Sequence, residues 1–352
     1  MILPGLAAAA LQAERERLDA LLGVFAKVPS WPDRSAARLP VEGKASLLYY
    51  PPPGEPAARP LLLVYSLVNR VRVLDLAPGN SFVERLQRLG HPVYVLDWGR
   101  PDASDAGLSL ADYVCGYLSA AVRQVRRHSS ARSIDLLGIC QGGSLALCLA
   151  SLELRAFNRL VTLVTPVDFH TPGDVLADLA RVLDLPALLA PDGNLPGAVL
   201  AALFGLLRPL RGADAVRVPW LEVGAEPEKH ARLQRLLAWQ ADYPDQAGRA
   251  WLEFVTACYR ENRLLQGTLV LDGHAVDLRR LRLPVLNVFA RADHLVPPAA
   301  SQALGRAMGS RRYQELAIEG GHVGIFAGRR GLDIVPPAIS RFLTATPTKK
   351  PR

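Results

Sequence analysis

Short, unbroken apolar runs alternate with amphipathic stretches through the first half of this chain, and glycine, proline and small polar residues mark the junctions. Apolar periodicity predicts a helix over residues 6–28, stopped by Pro29-Ser30-Trp31-Pro32. Strands are predicted over 46–50, 61–66 and 93–98, the second of them made of Leu, Val and Tyr before Ser66. Helices are predicted from Pro78-Gly79-Asn80-Ser81 to about residue 89, and over 109–127. A strand beginning at Ile134 then leads through a glycine-rich turn into a helix reaching 154, and another strand follows over 160–165. Such alternation implies a mostly parallel sheet with right-handed crossovers.

From Pro166 the rhythm changes. Residues 168–281 carry helical periodicity broken by prolines, apart from a hairpin predicted over 267–276 with an Asp272-Gly273 turn. Alternation resumes with a strand over 284–290, a helix over 299–308, a strand over 313–317 and a helix over 335–343. The chain thus divides into an N-terminal helical segment (1–39), an α/β core in two pieces (40–167 and 282–345), a helical insertion over the sheet's carboxyl edge (168–281) and a polar, disordered tail (346–352).

The candidate chemistry sits where the strand from Ile134 turns into its helix. Gly138-Ile139-Cys140-Gln141-Gly142-Gly143 has the form of a nucleophile elbow, with cysteine where serine is usual. Glycines beside the turn let it be tight, so one side chain is pushed out above the sheet in a strained conformation. Such a nucleophile needs an orienting acid and a base, supplied in that chain order from loops after later strands. Asp293 follows the strand over 284–290, and His322, after Gly321, follows the last strand. Of the other histidines, His91 and His128 stand at element ends, while His170, His230 and His274 fall in the insertion. His294 is either a second site histidine or an ordinary loop residue. The N–H of Gln141, with that of Val68 in the loop after the strand over 61–66, offers an oxyanion site. The helix N-terminus at Gln141 and His322 both favour a thiolate at Cys140. A thiolate attacking a thioester yields another thioester, which keeps the acyl group activated for a second transfer. Hydrolysis would waste that intermediate, and the insertion is placed to act as a water-excluding lid.

Composition narrows the field by exclusion. In 352 residues, 50% hydrophobic and 21% charged residues describe a globular chain with a sizeable core. The net charge of +8 comes mostly from scattered arginines and no nucleic-acid motif is present, so nucleic acid is not expected as a partner. Cys115, Cys140, Cys148 and Cys258 make no paired framework and no Cys-x-x-Cys spacing, which points to a reducing, cytoplasmic setting and suggests no metal site. The start of the chain lacks a basic n-region and runs into Glu14-Arg15-Glu16-Arg17, which reads as a helix start rather than a signal peptide. The apolar stretch 183–207 is broken by Pro186, Pro191 and Pro196, so no transmembrane segment is expected.

Taken together, the elbow, Val64-Tyr65-Ser66-Leu67-Val68-Asn69-Arg70, Tyr94-Val95-Leu96-Asp97-Trp98-Gly99, Thr165-Pro166-Val167-Asp168-Phe169, Asp293-His294-Leu295-Val296-Pro297 and Gly321-His322-Val323-Gly324 resemble the polyhydroxyalkanoate synthases. The short chain looks most like the class III catalytic subunit, which works with a separate E subunit. The resemblance implies an α/β-hydrolase fold with a helical cap, and an enzyme that polymerises (R)-3-hydroxyacyl-CoA into polyester with release of CoA. It implies Cys140 as carrier of the growing chain, His322 as base and Asp293 as its partner or as activator of the incoming 3-hydroxyl. His294 matches a histidine that follows the family's catalytic aspartate. No cofactor is implied beyond the acyl-CoA substrate, the assembly is a dimer or hetero-oligomer, and the setting is the cytoplasmic surface of polyester granules. Two rivals remain: a cysteine hydrolase of the dienelactone type, which lacks so large an insertion, and a non-catalytic granule-associated protein.

Overall fold

Eight strands join in one sheet: β1 (Ala37–Pro40), β2 (Ser46–Tyr50), β3 (Leu61–Val64), β4 (Val93–Asp97), β5 (Ile134–Ile139), β6 (Phe157–Leu163), β7 (Val285–Ala290) and β8 (Tyr313–Ile318). The computed structural model describes residues 28–207 and 227–345, so most of the helix expected over 6–28 and the tail at 346–352 lie outside the described residues. Strand order is β1-β2-β4-β3-β5-β6-β7-β8. β2 runs antiparallel to both neighbours, and every pair from β4 onward is parallel.

Burial on both faces explains why the central strands read as continuous apolar runs rather than alternating ones. Successive side chains point to opposite faces. Leu61 and Leu63 enter a core cluster with Val93, Val95, Leu137 and Ile139, whereas Leu62 and Val64 enter the opposite cluster with Tyr94, Leu96 and Leu136. One face is covered by α1 (Phe82–Arg88) and by a long C-terminal helix, Arg329–Thr344. The other is covered by α2 (Ser119–Ser129), extended at its start by the wide-turn segment Asp112–Leu118, and by α3 (Gln141–Leu152).

Between β6 and β7 the chain forms α4 (Val175–Val182), α5 (Gly197–Leu206), α6 (Pro227–Ala241) and α7 (Gly248–Phe254). A hairpin follows, with strands Val270–Leu271 and His274–Ala275 joined at Asp272 (φ 50°) and Gly273 (φ 75°). The last part of this connection is not only a cover. Leu264, Leu271, Val276 and Leu281 pack into the same cluster as α2 and α3. After β7 come α8 (Pro298–Ala307) and, beyond β8, the C-terminal helix, α9.

Two local features depart from the sequence reading. β1 pairs with β2 from Ala37 onward, ahead of residue 40, as a short edge strand whose Pro40 is tolerated because edges need not donate every N–H. Helix α9 starts at Arg329, six residues before the expected start, and holds Pro336 and Pro337 inside it. Proline usually marks a first turn. Here Leu332, Val335, Ile339 and Phe342 make one buried face that holds the helix through the pair.

That helix also buries an imidazole. His91 is fully buried, and its Nε2 lies 2.8 Å from the Ser340 hydroxyl. Burial lowers its pKa to about 4 from the ordinary 6.5. A depressed histidine contributes stability above its unfolded value, and that contribution is lost as pH falls through the window from about 6.5 to about 4. At about 1.4 kcal/mol per pH unit, the full window costs about 3 kcal/mol. The stability difference between wild type and His91→Gln, read from urea midpoints at neutral and at mildly acid pH, should shift in favour of the variant by a large part of that. No change in the difference would remove His91 from the acid response.

Candidate active site

The backbone at Cys140 is what presents the sulfur. Cys140 has φ 55° and ψ −131°, a conformation few non-glycine residues adopt, between the end of β5 and the first turn of α3. Its N–H donates to the Leu163 carbonyl at 2.9 Å, and its carbonyl accepts from Gly143 N–H at 2.9 Å, so the turn is fastened on both sides. The flanking glycines are required by approach distance. A Cβ on Gly142 would stand 2.4 Å from the Val64 carbonyl oxygen, and one on Gly143 would stand 1.9 Å from Thr165 Oγ1. Cys140 is half-buried, and the thiol opens into a cavity.

Asp293, in the loop after β7, is buried and doubly held. Its Oδ1 accepts the N–H groups of Leu295 (2.9 Å) and Val296 (3.0 Å). That leaves Oδ2 for His322 Nδ1, at 2.8 Å. An ionised carboxylate there fixes the tautomer with the proton on Nδ1 and turns Nε2 outward. His322 is buried after β8, with Phe326 edge-on at 6.3 Å. Burial alone would lower its pKa. The opposing negative charge of Cys140 and Asp293, with hydrogen bonds to both, instead pushes it up to about 10. The structure therefore brings Cys140, Asp293 and His322 into one connected group. His294, half-buried beside Asp293, is not among the residues that line the cavity.

The loop after β3 is strapped from several directions. Trp98 Nε1 donates to the Tyr65 carbonyl at 2.9 Å. Gln141 Oε1 accepts the Leu67 N–H at 3.0 Å and the Ser66 hydroxyl at 3.2 Å. Gln246, just before α7, donates from Nε2 to the Leu67 carbonyl at 3.0 Å. The Val68 N–H points to Ser66 Oγ at 3.0 Å. Gln141 opens α3, so its own N–H has no acceptor within the helix. That N–H makes no intrahelical bond, whereas the Val68 N–H is taken by Ser66 Oγ.

Above this floor lies a cavity of about 110 Å³. Val68, Cys140 and Gln141 form its base, and Leu176, Leu179, Leu200, Phe204, Trp251 and Tyr259 are among the residues of its walls and roof. The walls come almost wholly from the connection between β6 and β7.

Residues 60–328 match a family model described as the alpha/beta hydrolase fold. The chain is 40% identical over 297 residues, 84% of each chain, to the poly(3-hydroxyalkanoate) polymerase subunit PhaC of Allochromatium vinosum. It is 38% identical over 304 residues to that of Thiocystis violacea, covering 86% of each chain. The chain belongs to the PhaC family. The PhaC subunit of Synechocystis sp. is more distant, at 36% identity over 311 residues, 86% of this chain and 82% of that one. Among solved structures, an alpha/beta hydrolase fold protein from Nakamurella multipartita superposes with a TM-score of 0.52 at 15% identity, covering 88% of this chain and 98% of that chain. At that identity the likeness shows the fold alone, and it agrees with the parallel sheet and elbow described above.

In this PhaC family member the sequence reading missed two residues of the site, Gln246 and Tyr259. Both lie in the connection whose helical pattern marks only apolar positions. A glutamine between Asp245 and Ala247 carries no local signal, because its acceptor, the Leu67 carbonyl, is 179 residues away. Chemically, the arrangement offers a sulfur nucleophile, a buried imidazole to move its proton, a backbone donor at the developing oxyanion and an apolar chamber. No helix of the described residues is long and apolar enough to cross a membrane.

Proposed function

We propose that this chain is the catalytic subunit of a class III polyhydroxyalkanoate synthase, polymerising (R)-3-hydroxyacyl-CoA through an acyl thioester on Cys140. The observation that carries the reading is the Cys140 thiol at the floor of an apolar cavity with the His322–Asp293 pair behind it. Cys140 attacks the substrate thioester carbonyl as a thiolate, its proton already held on the His322 imidazolium. The oxyanion is held by the Gln141 N–H, joined by Val68. Collapse breaks the carbon–sulfur bond to CoA, whose sulfur takes the proton from His322. The acyl group now sits on Cys140 at the same activation level. The 3-hydroxyl of an incoming unit next attacks that thioester while His322, now neutral, takes and keeps its proton, and the Cys140 sulfur leaves as a thiolate. An ester has formed, and Cys140 attacks the elongated CoA thioester to begin again. Asp293 orients His322 throughout.

Residues 168–281 serve in this reading as a cap that keeps water from the acyl-cysteine. The protein works with a class III E subunit, as a dimer or hetero-oligomer, at the cytoplasmic surface of polyester granules, and it needs no cofactor beyond its acyl-CoA substrate. His294 is assigned to the surroundings of the site rather than to the cavity.

The test is CoA release from (R)-3-hydroxybutyryl-CoA, with and without a class III E subunit, with the product analysed. Polymer is the expected product, formed faster when the E subunit is present. Free 3-hydroxybutyrate in proportion to CoA, with no polymer under either condition, would assign the chain to the cysteine hydrolases instead.

A further inference from the structure

Tyr259 brings a phenol to the lining of the cavity that holds Cys140. The ring is fixed. Phe169 packs edge-on against it at 4.8 Å and Phe254 at 6.1 Å. Its carbonyl is tied to His170 Nε2 at 3.1 Å. On the floor, Gln141 Oε1 and Gln246 Nε2 are both engaged in holding the Leu67 loop. Tyr259 is part-buried, and a fixed phenol lining an apolar chamber offers its hydroxyl to a ligand group that enters there.

The function proposed above supplies that group. The substrate carries one hydroxyl, on the third carbon of its acyl chain, into the same apolar space, where it needs a partner. The thioester carbonyl is served from the floor by Gln141, so a cap-side group is left to meet the carbon two positions further in. We infer that Tyr259 is a substrate-contacting residue whose hydroxyl pairs with the 3-hydroxyl of the acyl group on Cys140, selecting 3-hydroxyacyl over unsubstituted acyl thioesters. The inference rests on the synthase reading. Burial, with the nearby charges of Asp174 and Cys140, holds the Tyr259 phenol well above its ordinary pKa, so it stays a neutral donor.

The experiment compares wild type with Tyr259→Phe, which keeps the ring and its packing. Single-turnover acylation of the enzyme is followed by mass spectrometry with (R)-3-hydroxybutyryl-CoA and with butyryl-CoA. Wild type should prefer the hydroxylated donor, and Tyr259→Phe should reduce that preference at least about tenfold, the loss of one hydrogen bond. An unchanged ratio, including one in which both rates fall together, overturns the assignment of Tyr259 and leaves the synthase reading standing. Wild-type enzyme that takes no acyl group from (R)-3-hydroxybutyryl-CoA overturns the synthase reading and this inference with it.

Discussion

Replacing Cys140 with alanine is expected to abolish polymerisation, by at least about 10⁴-fold, while the protein still folds. The two halves of that expectation have separate physical grounds. Activity fails because every bond made or broken in the proposed cycle passes through this sulfur. The remaining cysteines do not substitute for it. Cys148 and Cys258 are buried, and burial raises both thiols, Cys148 to about 12. Cys115 is also raised by burial and sits on the wide-turn segment before α2, away from the cavity. Folding survives because alanine keeps a Cβ at the strained position, and the turn is fastened by backbone bonds to Leu163 and Gly143 rather than by the thiol. Polymer formation by the variant at near wild-type rate, with its circular dichroism unchanged, would falsify the mechanism.

His322→Gln should slow CoA release by about 10²–10⁴-fold, the usual worth of a positioned acid–base group. Glutamine can still accept or donate toward Asp293, but it cannot carry the proton from one sulfur to the next. The pH response supplies a second signature. The pKa of His322 is raised to about 10 in the folded protein, where the charges of Cys140 and Asp293 outweigh burial. A histidine raised above its unfolded value of about 6.5 adds stability that is complete below that value and is lost as pH climbs through the folded one. Wild type should therefore lose stability relative to His322→Gln as pH is taken from neutral toward about 10, as read from denaturant midpoints at each pH. A parallel pair of curves, or a variant of near-normal rate, would take His322 out of the proposed role.

How much of this was readable in advance follows from the range of the forces involved. The central strands were legible because both faces of the sheet are buried, so Leu61 to Val64 is apolar without a break and Ile134 to Ile139 is interrupted only by Asp135 and Gly138. The elbow was legible because its constraint is local: Gly142 meets the β3 backbone so closely that no side chain fits. Asp293 and His322 could be singled out because this fold places site groups directly after strands. The rest depends on contacts between distant segments. Nothing around Ser66 announces that its hydroxyl occupies the Val68 N–H, and nothing around Gln246 announces its grip on the same loop. β1 was missed because four residues at an edge, with alternate side chains half-exposed, make little pattern. The early start of α9 was missed because Pro336 and Pro337 argue locally for a helix boundary that tertiary burial overrides.

The most direct measurement is to quench the wild-type enzyme during turnover of (R)-3-hydroxybutyryl-CoA, digest it at acid pH and locate the acyl group by peptide mass spectrometry. A hydroxyacyl adduct on the peptide containing Cys140, absent from those of Cys115, Cys148 and Cys258, is the result expected. Steady release of CoA with polymer formed and no acyl group ever found on Cys140 would contradict it.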